Sequence, residues 1–570
     1  MTFQKDRIIL VAIIAAAFGL RIWGLAFGLP FQAHQDEPIV VNHALAYGLG
    51  DLNPHFFYIP PFTSYILFAV YALFFAAGKL TGEWASTGDF AASFFVDPSI
   101  FYLIGRFFIG VIPGVICVLL TYRLAARLFS ERASLYASCV MALAYLNVAN
   151  SHYIYTDMLL VTFILAAYIA FFRLYDRPSL LNHFVSGLAI GLAAGAKYNG
   201  IFLVFTYLVA SVLSARREGR SVFGRQNIAG ALAAGSLALI AFFAVNPFSV
   251  FDLRGFLGSF LQQSKAFWYT GLGHHFFYSL AEGISLPLSL LGLAGLISLA
   301  MAGDRGKIFV SFPIVFYSVL VFRSQDFARY VLPLVPFFAI GAAYFVFHVF
   351  PHFVKVPSVR RTAWAIAVVL ILPTAVKSIK ADTIFSSADT RIKAAEWIGK
   401  NLAPGTRIAC DSTIFRPALK QPYVQLEEKE RSLANQRGLA DLKGRKLELM
   451  RKAADKNEKG YPLYFIFPEP AAQGQFLDTL PAVPFDLAVL KKEGIEYVVV
   501  NGQYRSRAEE EFLKILELQG EKVKDFSPYL DGEFRMSSDT VDATCIPVSG
   551  RELFSRASAG PAMRIYKLER

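Results

Sequence analysis

PFTSYILFAVYALFFAAG, residues 61–78, decides which face of a membrane every later motif meets. Eleven other apolar stretches are long enough to cross about 30 Å of hydrocarbon or to pack inside a helical bundle. They are 8–29, 101–121, 134–150, 158–172, 183–196, 200–214, 227–246, 284–302, 308–322, 330–350 and 362–379. If 61–78 does not span, the clusters Lys5/Arg7, Arg123/Arg127/Arg132, Arg173/Arg177, Arg216/Arg217/Arg220/Arg225, Arg305/Lys307 and Lys355/Arg360/Arg361 share one face. If it does span, all but the first move across. Because basic residues concentrate on the cytoplasmic side, 61–78 is expected to lie in, or dip into, the outer interface. It then sits in one long external loop, residues 30–100, and eleven crossings from an internal N-terminus leave the C-terminus outside.

Composition agrees with a polytopic membrane protein. Of 570 residues, 55% are hydrophobic and 54 are Phe, an apolar excess that a soluble chain of this length has nowhere to bury. The net charge of +12 comes from short Lys/Arg clusters between apolar runs, which suits loops facing anionic lipid rather than nucleic acid. The N-terminus has the basic start and apolar run of a signal peptide, yet continues through Arg21 and Trp23 without a small-x-small cleavage site, and reads as a retained first span. The expected location is the cell inner (plasma) membrane, with the N-terminus cytoplasmic.

Beyond residue 380 the pattern changes. DTRIKAAEWIGKNLAPGTRIACDS reads as an amphipathic helix, a Pro-Gly turn and a strand; LKKEGIEYVVVNGQYRS reads as a helix end, a turn and a buried strand. Between them, residues 426–456 form a charge-rich solvated helix or flexible insert. The expected architecture is therefore a polytopic α-helical membrane part, 1–379, followed by an extracytoplasmic α/β domain, 380–570. Cys117 and Cys139 fall in spans, whereas Cys410 and Cys545 fall in the external domain, where they are either bridged or free thiols.

This topology puts HQDEP (34–38), HYIYTD (152–157), KYN (197–199), the segment 247–283 and RSQDFARY (323–330) on the external face. Ionised side chains at span ends are costly unless paired or hydrated, which marks them as functional candidates. Asp36 and Glu37 lead them: a carboxylate there is able to take a proton from a hydroxyl, or else caps the helix that Pro38 begins. Arg106 near the outer end of the second span, Asp157, Lys197 at a turn between two short helices, and Arg329 complete the group. Acids and cations around one cavity suit a phosphate leaving group and a nucleophile that must be deprotonated. The structural alternative is a set of interhelical ion pairs and snorkelling ends. His34, His55, His152, His274 and His275 are compatible with a divalent metal, but their spacing matches no zinc pattern and no cofactor is required. Phosphate-loop, dinucleotide-binding and nucleophile-elbow motifs are missing.

HQDEP after the first span, YIPPFTSYIL, Arg106, HYIYTDMLLVTF, GLAAGAKYNGIF, NPF (246–248) and FARYVLPLVP, taken in order, resemble the GT-C glycosyltransferases that use lipid-linked sugars. The resemblance is to the bacterial form of the protein O-mannosyltransferase and aminoarabinose-transferase-like superfamily. It implies an inverting transfer from a polyprenyl-phosphate-linked sugar to an extracytoplasmic acceptor hydroxyl on a protein, lipid or glycan. Asp36 would be the catalytic base, and Glu37 would position the acceptor or orient Asp36. Arg106, Lys197 and Arg329 would hold the lipid phosphate, and Asp157 would shape the sugar pocket with His152 from the same motif. Where the aminoarabinose branch has an acid and a lysine before its proline, this chain has Tyr58-Ile59-Pro60-Pro61, so Tyr58 stands at that substrate-binding position and Lys197 is the substitute phosphate ligand. A competing reading is a transporter or flippase of lipid-linked glycan, although its inverted repeats are not apparent. A receptor whose external domain does the binding is a third.

Overall fold

All eleven stretches are helical over most of their length in the computed structural model, which describes residues 2–31, 34, 36–265, 271–323, 325–353, 359–412, 415–427, 460–466, 481–502, 507–537 and 546–569. Among the described residues, eight helices are long and apolar enough to cross a membrane, and nine if the pair His275–Ile284 and Leu286–Met301, bent by 113°, is one span. The helix Phe62–Thr81 also meets that test.

The chain divides into two compact units: residues 1–25, 36–72 and 104–382 form one, and residues 26–35, 73–103 and 383–570 the other. The second half of Phe62–Thr81 thus groups with the C-terminal residues. The second unit also takes in parts of the first loop, so it is larger than the 380–570 read from composition.

In the first unit three of the basic loops meet. Asp176 pairs with Arg305 at 2.8 Å and with Arg217 at 3.7 Å, joining three clusters that are far apart in sequence. Small residues set a close helix contact. Gly187, Gly191 and Gly195 repeat every four residues on Leu180–Ala196, and a Cβ built at Gly191 would lie 2.3 Å from the Ala238 carbonyl of Arg225–Val245. Such stripes let backbones approach where no hydrophobic force separates helix from lipid. The stretch 134–150, expected to be one span, is broken at Ala144 into Glu131–Leu143 and Tyr145–Asn150. Helix Val359–Phe385 satisfies the freed backbone: Thr374 Oγ1 accepts from Tyr145 N at 2.9 Å, and Ser378 Oγ donates to Leu143 O at 2.8 Å. An unpaired peptide group in hydrocarbon costs several kcal/mol, roughly, which accounts for these hydroxyls.

The second unit contains a six-stranded sheet of β1 (Ile408–Cys410), β2 (Leu463–Ile466), β3 (Ala482–Val483), β4 (Tyr497–Asn501), β5 (Gly520–Phe526) and β6 (Met563–Leu568). Its order is β3-β2-β1-β4-β6-β5, with β1 to β4 parallel and β5 and β6 antiparallel to their neighbours. Alternation splits the strands between two apolar layers, Ala409, Val498 and Val500 packing on one side and Ile408, Cys410 and Val499 on the other. Burial on both faces is the usual condition of parallel strands. The helix, turn and strand read at 389–410 and 490–501 are present, with Gly405 (φ 87°) and Gly494 (φ 69°) making the turns. Cys410 is a buried free thiol, pushed up to about 12 by burial, while Cys545 and most of the 426–456 insert lie outside the described residues. From the first loop, Phe31 stacks against the Arg391 and Arg416 guanidiniums of this unit, each 5.3 Å from its ring.

Candidate active site

Five segments of the first unit converge around the paired acids. Helix Glu37–Tyr47 begins at the acids and has Pro38 in its first turn, so chain direction is fixed where Asp36 and Glu37 diverge. Asp36 occupies the N-cap position without a side-chain cap hydrogen bond. Its carboxylate instead pairs with Arg329 at 2.5 Å. Arg329 comes from the 3₁₀ segment Ala328–Leu334.

Glu37 turns the other way. It is fully buried and takes two parallel hydrogen bonds from Arg106, at 2.9 and 2.8 Å, plus one from Ile154 N at 3.1 Å. Arg106 is equally buried and donates its remaining arm to Leu25 O at 2.8 Å. It opens a π-helical stretch, Arg106–Val111, within the apolar run that begins at Ser99, and such bulges re-aim a side chain. The fork geometry suits a carboxylate bound bidentately. The expectation that Arg106 faces a lipid phosphate therefore meets a different geometry: its donors are turned inward onto Glu37 and a backbone carbonyl.

On the open side, Lys197 pairs with Asp157 at 2.6 Å. Lys197 lies in the extended break between Leu180–Ala196 and the 3₁₀ turn Tyr198–Phe202, the turn between two short helices expected from KYN. Asp157 Oδ2 is buried without a hydrogen-bond partner among the described residues, an acceptor available to a ligand hydroxyl. Tyr155, which the charge-based reading passed over, links the two ion pairs. Its ring lies 5.0 Å from the Arg329 guanidinium and 5.6 Å from the Lys197 ammonium, and Tyr330 lies 5.4 Å from that same ammonium. Burial, reinforced by the Asp36 carboxylate, raises the Tyr155 phenol well above its ordinary value. The only hint of Tyr155 in the sequence is its place two residues before Asp157.

The remaining candidates are elsewhere. His152 is buried, with its ring nitrogens 2.9 Å from Val148 O and 3.0 Å from Trp23 O, and burial lowers it to about 4. Both nitrogens lie near backbone carbonyls, and Asp382 Oδ1 is 3.7 Å from Nε2, so the ring is held within the protein rather than beside the two ion pairs. Tyr58 bonds the Gln262 side chain and packs beside Phe56 with the two rings tilted, joining neither ion pair. Arg21, expected to snorkel or pair locally, is buried and bonds Ser151 Oγ at 3.1 Å and Asn147 Oδ1 at 2.5 Å. Among the described residues no three His, Cys, Asp or Glu side chains come close enough to hold a metal.

The site thus has a dry inner pair, Glu37–Arg106, beneath a partly open layer of Asp36, Arg329, Tyr155, Lys197 and Asp157. Residues 101–247 match the family model of dolichyl-phosphate-mannose-protein mannosyltransferase. The structure resembles that of apo ArnT from Cupriavidus metallidurans at a TM-score of 0.51 and 14% identity, covering 92% of this chain and 97% of that one. The archaeal oligosaccharyltransferase AglB from Archaeoglobus fulgidus, solved with an inhibitory peptide and a dolichol-phosphate, matches at a TM-score of 0.49 and 14% identity over 93% of this chain and 74% of that one. No curated protein matches the sequence significantly. The fold is thus shared with ArnT over nearly the whole chain, and Arg106, Tyr155, Asp157 and Lys197 all lie within the segment that matches the mannosyltransferase family model.

Proposed function

We propose that the protein is an inverting glycosyltransferase that moves a sugar from a polyprenyl-phosphate-linked donor to an acceptor hydroxyl on a protein, lipid or glycan, at the extracytoplasmic face of the inner membrane. The observation that carries this reading is the partly open pair Asp36–Arg329, linked through Tyr155 to Lys197–Asp157. The donor class is supported by the matched family's description, which names a dolichyl-phosphate sugar.

In the proposed step Asp36 takes the acceptor hydroxyl proton as the acceptor oxygen bonds to the anomeric carbon. The bond from that carbon to the phosphate oxygen breaks, and its electrons leave with the polyprenyl phosphate. Arg329 and Lys197 face the oxygen on which charge grows, and preorganised cations in a water-poor site act strongly there. Arg106 is not given a phosphate role, since it already holds Glu37. Glu37 and Arg106 fix the start of the Asp36 helix, while the unused Asp157 oxygen suits a sugar hydroxyl.

Asp36→Asn in proteoliposomes supplied with polyprenyl-phosphate sugars and an acceptor extract is expected to lower transfer by roughly 10²–10⁴-fold, the range for losing a general base. Its melting temperature should stay near that of the wild type. Undiminished transfer by the variant would exclude Asp36 as the base. Flux of lipid-linked glycan across sealed vesicles without a new glycosidic bond would favour the transporter reading instead.

A further inference from the structure

Helix Thr156–Asp176 has the Tyr155–Asp157 motif at its start and Tyr175–Asp176 at its end. At 1.5 Å per residue, its two ends are about 30 Å apart. A cavity of about 430 Å³ opens at that far end, lined by Leu128, Tyr175, Arg217, Leu299, Arg305 and Tyr344 among others. Its charges are unbalanced. Asp176 is shared between Arg305 and Arg217, and Asp304 is paired with Lys307 at 3.3 Å. Arg127 and Arg173 are near neighbours, and neither has a carboxylate within ion-pair distance among the described residues. Burial, together with the adjacent Arg173 and Arg305, lowers Arg127 from its ordinary value.

We propose that this cavity is a binding site for a phosphate anion, occupied by the headgroup of an anionic phospholipid from the leaflet opposite the Asp36 site. Arg217 and Arg305 each direct two N–H groups at protein oxygens, Tyr175 O and Asp176 O for the one, Arg127 O and Asp176 Oδ1 for the other, and their remaining N–H groups are donors of the kind that clasp phosphate oxygens. Leu128, Leu299 and Tyr344 give the apolar wall that a glycerol backbone and acyl chain need. The volume lies within the range of small-molecule sites. Basic pockets between helices on the cytoplasmic side are the general form of such lipid sites. The proposal does not depend on the sugar-transfer reading, because none of these residues belongs to the Asp36 cluster.

Native mass spectrometry of the full chain, released from phosphatidylcholine nanodiscs doped with phosphatidylglycerol, tests it. The wild type is expected to retain phosphatidylglycerol in preference to phosphatidylcholine. Arg217→Gln and Arg305→Gln should each weaken that retention roughly five-fold, as expected for one basic contact at an anionic membrane surface. Arg305→Lys should keep most of it. If a variant does not fold, raising the salt concentration on the wild type should release the lipid, since screening weakens ionic contacts. A parallel titration with glycerol phosphate and inorganic phosphate separates the sources: saturable binding of these without lipid retention would assign the same site to a soluble phosphate. Equal retention of both phospholipids, with no binding of either soluble anion, would overturn the proposal.

Discussion

Replacing Arg106 with Leu tests whether the inner pair is architecture or substrate contact. Arg106 and Glu37 are both fully buried, joined by hydrogen bonds of 2.9 and 2.8 Å, and the same arginine anchors Leu25 O. Truncating it leaves the Glu37 carboxylate with Ile154 N as its remaining partner of the three described above. With charge centres about 4 Å apart and an effective dielectric near 20, the attraction lost is about 4 kcal/mol. Breaking one side of a buried pair costs about 3–5 kcal/mol in other proteins, in agreement. The double variant Glu37→Leu/Arg106→Leu removes both charges, and buried pairs replaced by apolar residues often lose little. Its stability is therefore expected to return to within about 2 kcal/mol of the wild type. Equilibrium unfolding in mixed micelles gives the double-mutant cycle, and calorimetric titration with polyprenyl phosphate reads donor binding by the folded double variant. Retained donor binding is expected. A single variant as stable as the wild type, or a double variant no better than the single, would refute the buried-pair reasoning. A stable double variant that no longer binds the phosphate would return Arg106 to the list of substrate contacts.

Two other outcomes follow from the packing and charge described above. Gly191→Leu drives a side chain into the Ala238 carbonyl, so it should destabilise the protein by about 1–3 kcal/mol or more, seen as a lower melting temperature, whereas Gly235→Leu, which meets nothing within 4 Å, should be tolerated. In the second unit, Arg564 donates two hydrogen bonds to Asp525, at 2.7 and 3.1 Å; burial opposes ionisation there, but the arginine prevails and holds the carboxyl below its ordinary value. Since the folded-state value is the lower one, the stabilisation is present above the unfolded value near 4 and is lost as pH falls through the folded value. Protection of the β5 amides against hydrogen exchange in the full chain, taken relative to the intrinsic rate at each pH, should fall on acidification below about pH 4, and Asp525→Asn should flatten that dependence, with an amplitude of no more than about 1 kcal/mol because the pair is partly exposed.

The sequence by itself determined the membrane class, the position of most helices and the helix, turn and strand segments of the C-terminal α/β sheet. These features rest on signals local to the chain: apolar run length, basic residues at span ends, and the alternation of strands. It also supplied the short list of ionisable residues, because charge near hydrocarbon is rare enough to stand out. Only tertiary structure decided which of them face one another. Asp36 and Glu37 are adjacent, yet the helix start sends one to Arg329 and the other to Arg106, 293 and 69 residues away. Spacing carries no information on partners so distant, and none on whether an arginine's donors are already satisfied. Tyr155 escaped notice for a related reason. An uncharged ring gains its significance only from the two cations that the fold brings to its face, and those come from segments that no local pattern connects.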